Sequence, residues 1–147
     1  MSFFCVYGWL IISHLCFNGK IILREDNSKP VIKWNKEKDG VEVKADGYHF
    51  VIANIPDISC NWYNTLYFCD KFNTYLPSIE ELKVVAKYLD VINQCFKDNN
   101  GFPMEGSFYW SSSEYSSNYA RRMFTGNGNV YGTNKNGYDF FRGFARL

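Results

Sequence analysis

The sequence predicts an α+β fold in one domain. Three observations carry that expectation. Short runs rich in β-branched and aromatic residues fill the first 56 positions, two stretches of helical periodicity occupy 57–97, and two Asn-Gly turn signals punctuate the last quarter. The length of 147 residues suits one core, since a chain near this size buries about 68–70% of its unfolded surface. Aromatic residues make up 19% of the chain and the formal charge is only +1, the opposite of a disordered composition. Near-neutrality also gives no whole-molecule reason to expect nucleic acid or an anionic membrane as partner.

In chain order, "FFCVYGWLIISHLCF" (3–17) is apolar over about the length of a signal-peptide core. It lacks a basic lead and a small-residue cleavage site, and it carries Gly8, Ser13 and His14. It is also too short to span a bilayer, so no membrane insertion is expected. Its composition predicts a buried strand, turned at Asn18-Gly19 and returning over 21–25. Short strands are expected at 31–34 and 41–45, around the charged turn "NKEKDG". Interleaved acids there make a solvated turn rather than a basic patch. A further strand over 48–55 stops at Pro56.

Two helices are expected next. Over 57–72, Trp62, Leu66, Cys69 and Phe72 recur at helical spacing, with Asp57 or Ser59 as the cap. Over 76–96, Ser78 and Glu81 form a capping box, and Leu82, Val85, Leu89, Ile92 and Phe96 make one core-facing stripe. Asp90 offers an alternative cap, which would break this segment near Leu89. Five cysteines, an odd number without metal-ligand spacing, read as buried core thiols, with one disulfide as the alternative. Cys60 and Cys69, taken as sharing a helix, would lie about 13 Å apart, beyond disulfide reach.

In the final quarter, Asn127-Gly128 and Asn136-Gly137 divide the chain into strands near 118–125, 129–134 and 138–146, a β-meander. Trp110, Phe124, Phe140, Phe141 and Phe144 supply its apolar content, and a bulge at Gly143 would bring Phe141 and Phe144 to one face. Val130 is the only β-branched aliphatic residue after 109. Tyr, Ser, Asn, Gly and Arg dominate instead. That palette is the one binding surfaces use: Tyr offers large amphipathic area with two torsions to freeze, and Ser, Gly and Asn offer adaptable hydrogen bonds. Five Lys/Arg against Glu114 and Asp139 leave 107–147 at +3, which favours an acidic or polar partner. The competing reading is an ordinary polar outer face of a sheet.

"LPSIEEL" (76–82), "YWSSSE" (109–114), "GNV" (128–130), Lys135 and the closing Phe-Arg pattern resemble the bacterial C-type-lectin-like Lcl C-terminal domain group. Residues 109–147 further resemble the variable proteins of diversity-generating retroelements. The resemblance covers about 57–147 and implies two helices flanking small antiparallel sheets, with N- and C-terminal strands paired, 3–15 lying beside 139–146. It implies that Trp110, Ser111, Glu114, Ala120, Gly128 and Arg142 are scaffold. It implies a displayed, diversifiable ligand-binding set of Tyr115, Tyr119, Arg121, Arg122, Tyr131, Asn134, Asn136, Tyr138 and Asp139. The chain departs from the family pattern at Thr125 and Ala145, which leaves the register of the last strand open.

The expected function is therefore presentation of this surface to a protein or glycan, at a cell surface or on a phage particle, without turnover. A fixed-specificity adhesin or structural tip module is the alternative. Calcium-dependent lectins use Glu-Pro-Asn or Gln-Pro-Asp with Trp-Asn-Asp, because Ca²⁺ takes several oxygens; neither motif occurs, so no metal and no cofactor are expected. Catalysis is not expected. The formylglycine-generating enzymes of this fold class need C-terminal cysteines, and none follows Cys95. His14 and His49 lie in expected strands, and Ser111–Ser113 lack a nucleophile elbow.

Overall fold

The computed structural model describes residues 12–17, 20–25 and 29–147, the first two stretches by backbone pairing alone. The fold is α+β. Strands β1 (Ile12–Phe17) and β2 (Lys20–Glu25) form an antiparallel pair in which Phe17 faces Lys20.

The first five-stranded sheet begins as a meander of β3 (Val31–Asn35), β4 (Gly40–Ala45) and β5 (Tyr48–Ala53). Asp46 and Gly47, at φ 55° and 83°, make its second turn; both central positions of such a two-residue hairpin need positive φ. The second sheet holds β6 (Ile58–Cys60), β8 (Phe108–Glu114), β9 (Tyr119–Phe124), β10 (Asn129–Asn134) and β11 (Asp139–Phe141), in the order β10-β9-β8-β11-β6. Two short strands, β7 (Thr74–Tyr75) and β12 (Phe144–Ala145), complete the first sheet as β3-β4-β5-β12-β7.

Among the described residues, three helices stand where two were expected: α1 (Trp62–Phe72), α2 (Ile79–Lys87) and α3 (Leu89–Asp98). Ser78 and Glu81 do form the capping box of α2. The break falls at Tyr88, as the alternative reading placed it, yet Asp90 lies inside the first turn of α3 and is not its cap. Helix α1 starts later than expected, capped by Asn61, whose side chain accepts from the Asn64 amide. Residues 58–60 are drawn into a strand by pairing with β11, so Cys60 and Cys69 lie on different elements. Leu66, expected on the core face, is 56% exposed; Thr65 takes the buried position.

The C-terminus differs most from expectation. β8, β9 and β10 form the meander, but β11 does not continue it. It crosses back to lie parallel to β8 and antiparallel to β6. Gly137 turns without positive φ, and only Gly128 of the two Asn-Gly pairs adopts it. Phe141 and Phe144 are not brought together by a bulge. The chain changes sheets at Arg142-Gly143, and a Cβ at Gly143 would collide with Thr74 Oγ1. The expected pairing of 3–15 with 139–146 is also not found where it can be judged. Residues 12–17 pair with 20–25, while β11 and β12 pair with β5, β6, β7 and β8. Residues 3–11 lie outside the described residues.

The second sheet is packed on both faces. Successive β8 residues point to opposite sides, as strand geometry demands. Tyr109 enters a large core with α2, α3 and the first sheet; Trp110 enters a smaller one with Cys60, Cys69, Leu76, Ala120 and Phe141 under α1. Arg142 staples the two sheets. Its buried guanidinium donates to Asp57 Oδ1 and to the carbonyls of Phe102 and Pro103, and the Tyr109 hydroxyl donates to Asp57 Oδ2.

Candidate ligand-binding surface

The surface is organised by a residue that composition hides. Lys135 is 2% exposed, although the stretch around it is Asn, Gly and Tyr. Its ammonium donates to Glu114 Oε1 at 2.6 Å and to the Ser117 carbonyl at 3.0 Å, and it sits 4.5 Å from the centre of the Trp62 ring. Its amide donates to the Asn118 carbonyl, and its carbonyl accepts from the Trp62 amide. One side chain and its peptide groups thus tie the β8–β9 connection, the β10–β11 crossing and the start of α1. A charge-assisted hydrogen bond in a largely dehydrated setting is about twice as strong as a neutral one.

Local hydrogen bonds fix what Lys135 leaves loose. The pairing of β8 with β9 shifts register between Trp110 and Glu114. Ser111 Oγ donates to the Arg121 carbonyl across that irregularity and accepts from the Ser113 amide. The amides of Tyr115 and Ser116 both donate to the Tyr119 carbonyl, and Ser116 Oγ accepts from the Asn118 and Tyr119 amides. Asn134 Oδ1 accepts from the Asn136 amide. The backbone amides of Tyr115, Ser116, Asn118, Tyr119 and Asn136 are therefore all tied.

Eight of the nine nominated residues divide three ways. Tyr119 lies opposite Asn134 and Arg121 opposite Gly132, so these share one face of the sheet. The Tyr115 ring lies over Gly132, with the Arg121 guanidinium 5.4 Å from its centre. Tyr138 and Asn136 stand exposed on the crossing segment beside Lys135. Arg122 and Tyr131 face each other on the opposite side of the sheet, with Phe108 and Phe124. The Arg122 guanidinium stacks 3.9 Å from the Phe108 ring centre and pairs with Asp139 Oδ1 at 3.0 Å.

Asp139 is a correction: it is buried, not displayed. Burial pushes its carboxyl above the usual carboxylate range, against the opposing pull of Arg122. Ion pairing accounts for its position: a carboxylate next to the second core needs a partner, and Arg122 is in reach. Of the residues assigned to scaffold, Trp110, Ser111, Ala120 and Arg142 are buried, and Glu114 is exposed but held by Lys135. The roles of Lys135 and Asp57 were missed. Lys135 had one sequence signal, being the only charged residue between 125 and 138.

Among the described residues, no cluster of three or more His, Cys, Asp or Glu could hold a metal ion, and no helix is long and apolar enough to cross a membrane. A scan against protein-family models returns no match, and a search of the curated proteins returns none.

Proposed function

We propose that this domain is a ligand-binding module of C-type-lectin-like type that presents the surface around Lys135 to a protein or glycan. One observation carries the reading. Tyr115, Tyr119 and Tyr138 are 69%, 46% and 70% exposed while the backbone under them is tied by Lys135 and the serine network. An exposed tyrosine on a mobile loop loses its freedom on binding; on a fixed backbone that cost is already met, so more of its contact area appears as affinity. The ligand-facing set is Tyr115, Tyr119, Arg121, Asn134, Asn136 and Tyr138. Tyr131 and Arg122 form a separate patch on the reverse face.

The resemblance to retroelement variable proteins is part of this proposal, and the Arg122–Asp139 pair narrows it. Two members of the nominated set support each other inside the fold, so independent variation at 122 and 139 would strand a buried carboxylate. This favours a fixed specificity at those two positions, as in an adhesin. Comparing the gene with any neighbouring template repeat decides between the readings. Differences restricted to template adenines, and sparing codons 122 and 139, support diversification.

Binding itself is tested by screening the domain on glycan and cell-surface-protein arrays. The Tyr119→Ala/Tyr138→Ala variant should lose the hits at an unchanged melting temperature. Hits that survive the double substitution would sink the reading.

A further inference from the structure

The two five-stranded sheets have four edge strands among the described residues, and three of them are blunted. β6 is three residues long, β7 is two, and β3 carries Lys33 at its centre. Short edges and edge lysines are how sheets avoid unwanted pairing. β10 has neither protection. Its six residues, Asn129-Val130-Tyr131-Gly132-Thr133-Asn134, include no charge and no proline.

Hydrogen bonding shows which of its groups face outward. The Lys135 amide donates to the Asn118 carbonyl, one step beyond the Asn134–Tyr119 pair. Hydrogen-bonded pairs alternate in an antiparallel ladder, so Thr133 and Tyr131 bond to β9 in turn. Val130, Gly132 and Asn134 therefore point their peptide groups away from β9. The Asn134 carbonyl is taken by the Gly137 amide. Both peptide groups of Val130, both of Gly132 and the Asn134 N–H have no partner among the described residues.

We propose that β10 takes up an extended acidic polypeptide segment as a further strand of the second sheet. The inference rests on the reading of this face as a ligand surface, since Tyr115 and Arg121 belong to it, and adds the partner's class and its mode of attachment. Strand addition draws affinity from main-chain bonds and specificity from the side chains alongside. Gly132 marks the selective position. With no side chain there, the Tyr115 ring lies over the strand, 3.9 Å from where a Cβ would stand, and the Arg121 guanidinium sits 5.4 Å from the ring centre. Arg121 is exposed and makes no ion pair among the described residues. The backbones of β9 and an added strand lie about 9.5 Å apart, a gap that an Arg and a Glu side chain close between them. A carboxylate set beside Gly132 thus meets an uncompensated cation across an aromatic ring.

The neighbours of that acid fall beside Tyr131 and Thr133 on the reverse face. Tyr131 is 40% exposed there, edge-on to Phe108, so an aromatic or β-branched neighbour completes the cross-strand contact. A second copy of the chain fits the edge less well. Pairing β10 with itself about Gly132 brings a second Arg121 and no free carboxylate, because Glu114 is held by Lys135 and Asp139 by Arg122.

The test is selection of short random peptides, displayed on phage, against the intact chain. The enriched peptides should share an Asp or Glu next to an aromatic or β-branched residue. A synthetic peptide of that sequence should slow hydrogen exchange at the Val130, Gly132 and Asn134 amides. Gly132→Pro removes the central N–H and should weaken the peptide about tenfold or more. Its melting temperature should hold, since proline is tolerated on an edge strand where the lost N–H faced solvent. Arg121→Glu should turn the selection from acidic to basic peptides. Tyr119→Ala/Tyr138→Ala keeps every outward group of β10 and should leave the peptide's affinity intact, so this result and the array result are read separately. The proposal is overturned if nothing is enriched, if the enriched set has no acidic preference, or if Gly132→Pro and Arg121→Glu bind as the parent does. Protection at other amides, or loss of the peptide in the tyrosine double variant, would equally overturn it. So would a sedimenting dimer that Gly132→Pro dissociates, which assigns the edge to a second copy.

Discussion

Two buried cations do different work. Arg142 is nearly inaccessible, and desolvation holds its guanidinium below the usual range despite the attraction of Asp57. Removing one member of such a pair leaves the other charge uncompensated, at about 3–5 kcal/mol. Arg142→Ala should therefore unfold at far lower denaturant, and Arg142→Ala combined with Asp57→Ala should recover part of the loss. A double substitution no better than the single would mean that the carbonyl contacts, not the ion pair, dominate. Lys135 differs because its partner Glu114 is 55% exposed and can rehydrate. Lys135→Met should cost about 1.5–3 kcal/mol, the range for losing hydrogen bonds made by a charged group. It should also loosen the backbone between 115 and 119. Relaxation measurements on those amides check this, and unchanged order parameters would remove Lys135 as the organiser of the surface. Neither role could be read from spacing. A buried cation looks like any other Lys or Arg until the fold brings its carbonyls and carboxylate together, from 18 and 21 positions away for Lys135 and from 39 to 85 for Arg142.

At the scale of elements, what was legible was what the chain encodes locally. The capping box at Ser78, the stripe Leu82–Val85–Ile92–Phe96 and the strands of the first meander all depend on neighbours within a few residues. The third strand of the C-terminal meander was misplaced because Asn136-Gly137 reports a turn and not a destination. Pairing partners of β11 are set by Arg142 and Phe141, which anchor it far from β10. Within the first sheet, Glu42 gives a pH signature. Burial alone would raise its carboxyl, but hydrogen bonds from Asn35 and His49 and the charge of Lys33 outweigh that and hold it below the usual range. A lowered folded value means that the unfolded chain binds the proton more readily. The stabilisation is then complete above the ordinary glutamate range and is lost as pH falls through the folded value. Glu42→Gln should flatten that part of the stability profile, measured by denaturant midpoints in stepped acidic buffers. A profile of unaltered slope would show that the carboxylate contributes nothing there.

For the whole molecule, the governing feature is a sheet with a core on each side. Composition announced enough apolar side chains for one core but not that alternate residues of β8 and β9 would supply two. That division has a measurable consequence. Trp110 and Tyr109 are adjacent in sequence and belong to different cores, so neither core can open without disturbing the strand they share. The cysteines report on this, since Cys60 and Cys69 lie in the smaller core and Cys95 in the larger. Burial, with minor contributions from Cys69 and Asp139, pushes the Cys60 thiol up to about 11, and burial also raises Cys69. Only the thiolate attacks an alkylating reagent. At pH 8, about one Cys60 in a thousand would be ionised by that value, before access is considered. Labelling of all three should then proceed through opening of the structure. If the sheet couples the cores, the opening free energies at Cys60, Cys69 and Cys95 should coincide with one another and with the global value. Peptide-resolved alkylation across a urea series measures each separately. A lower opening free energy at Cys60 and Cys69 than at Cys95 would mean that α1 and its core detach alone. The start of α1, which holds the Lys135 carbonyl through the Trp62 amide, would then be the weakest support of the tyrosine-bearing surface.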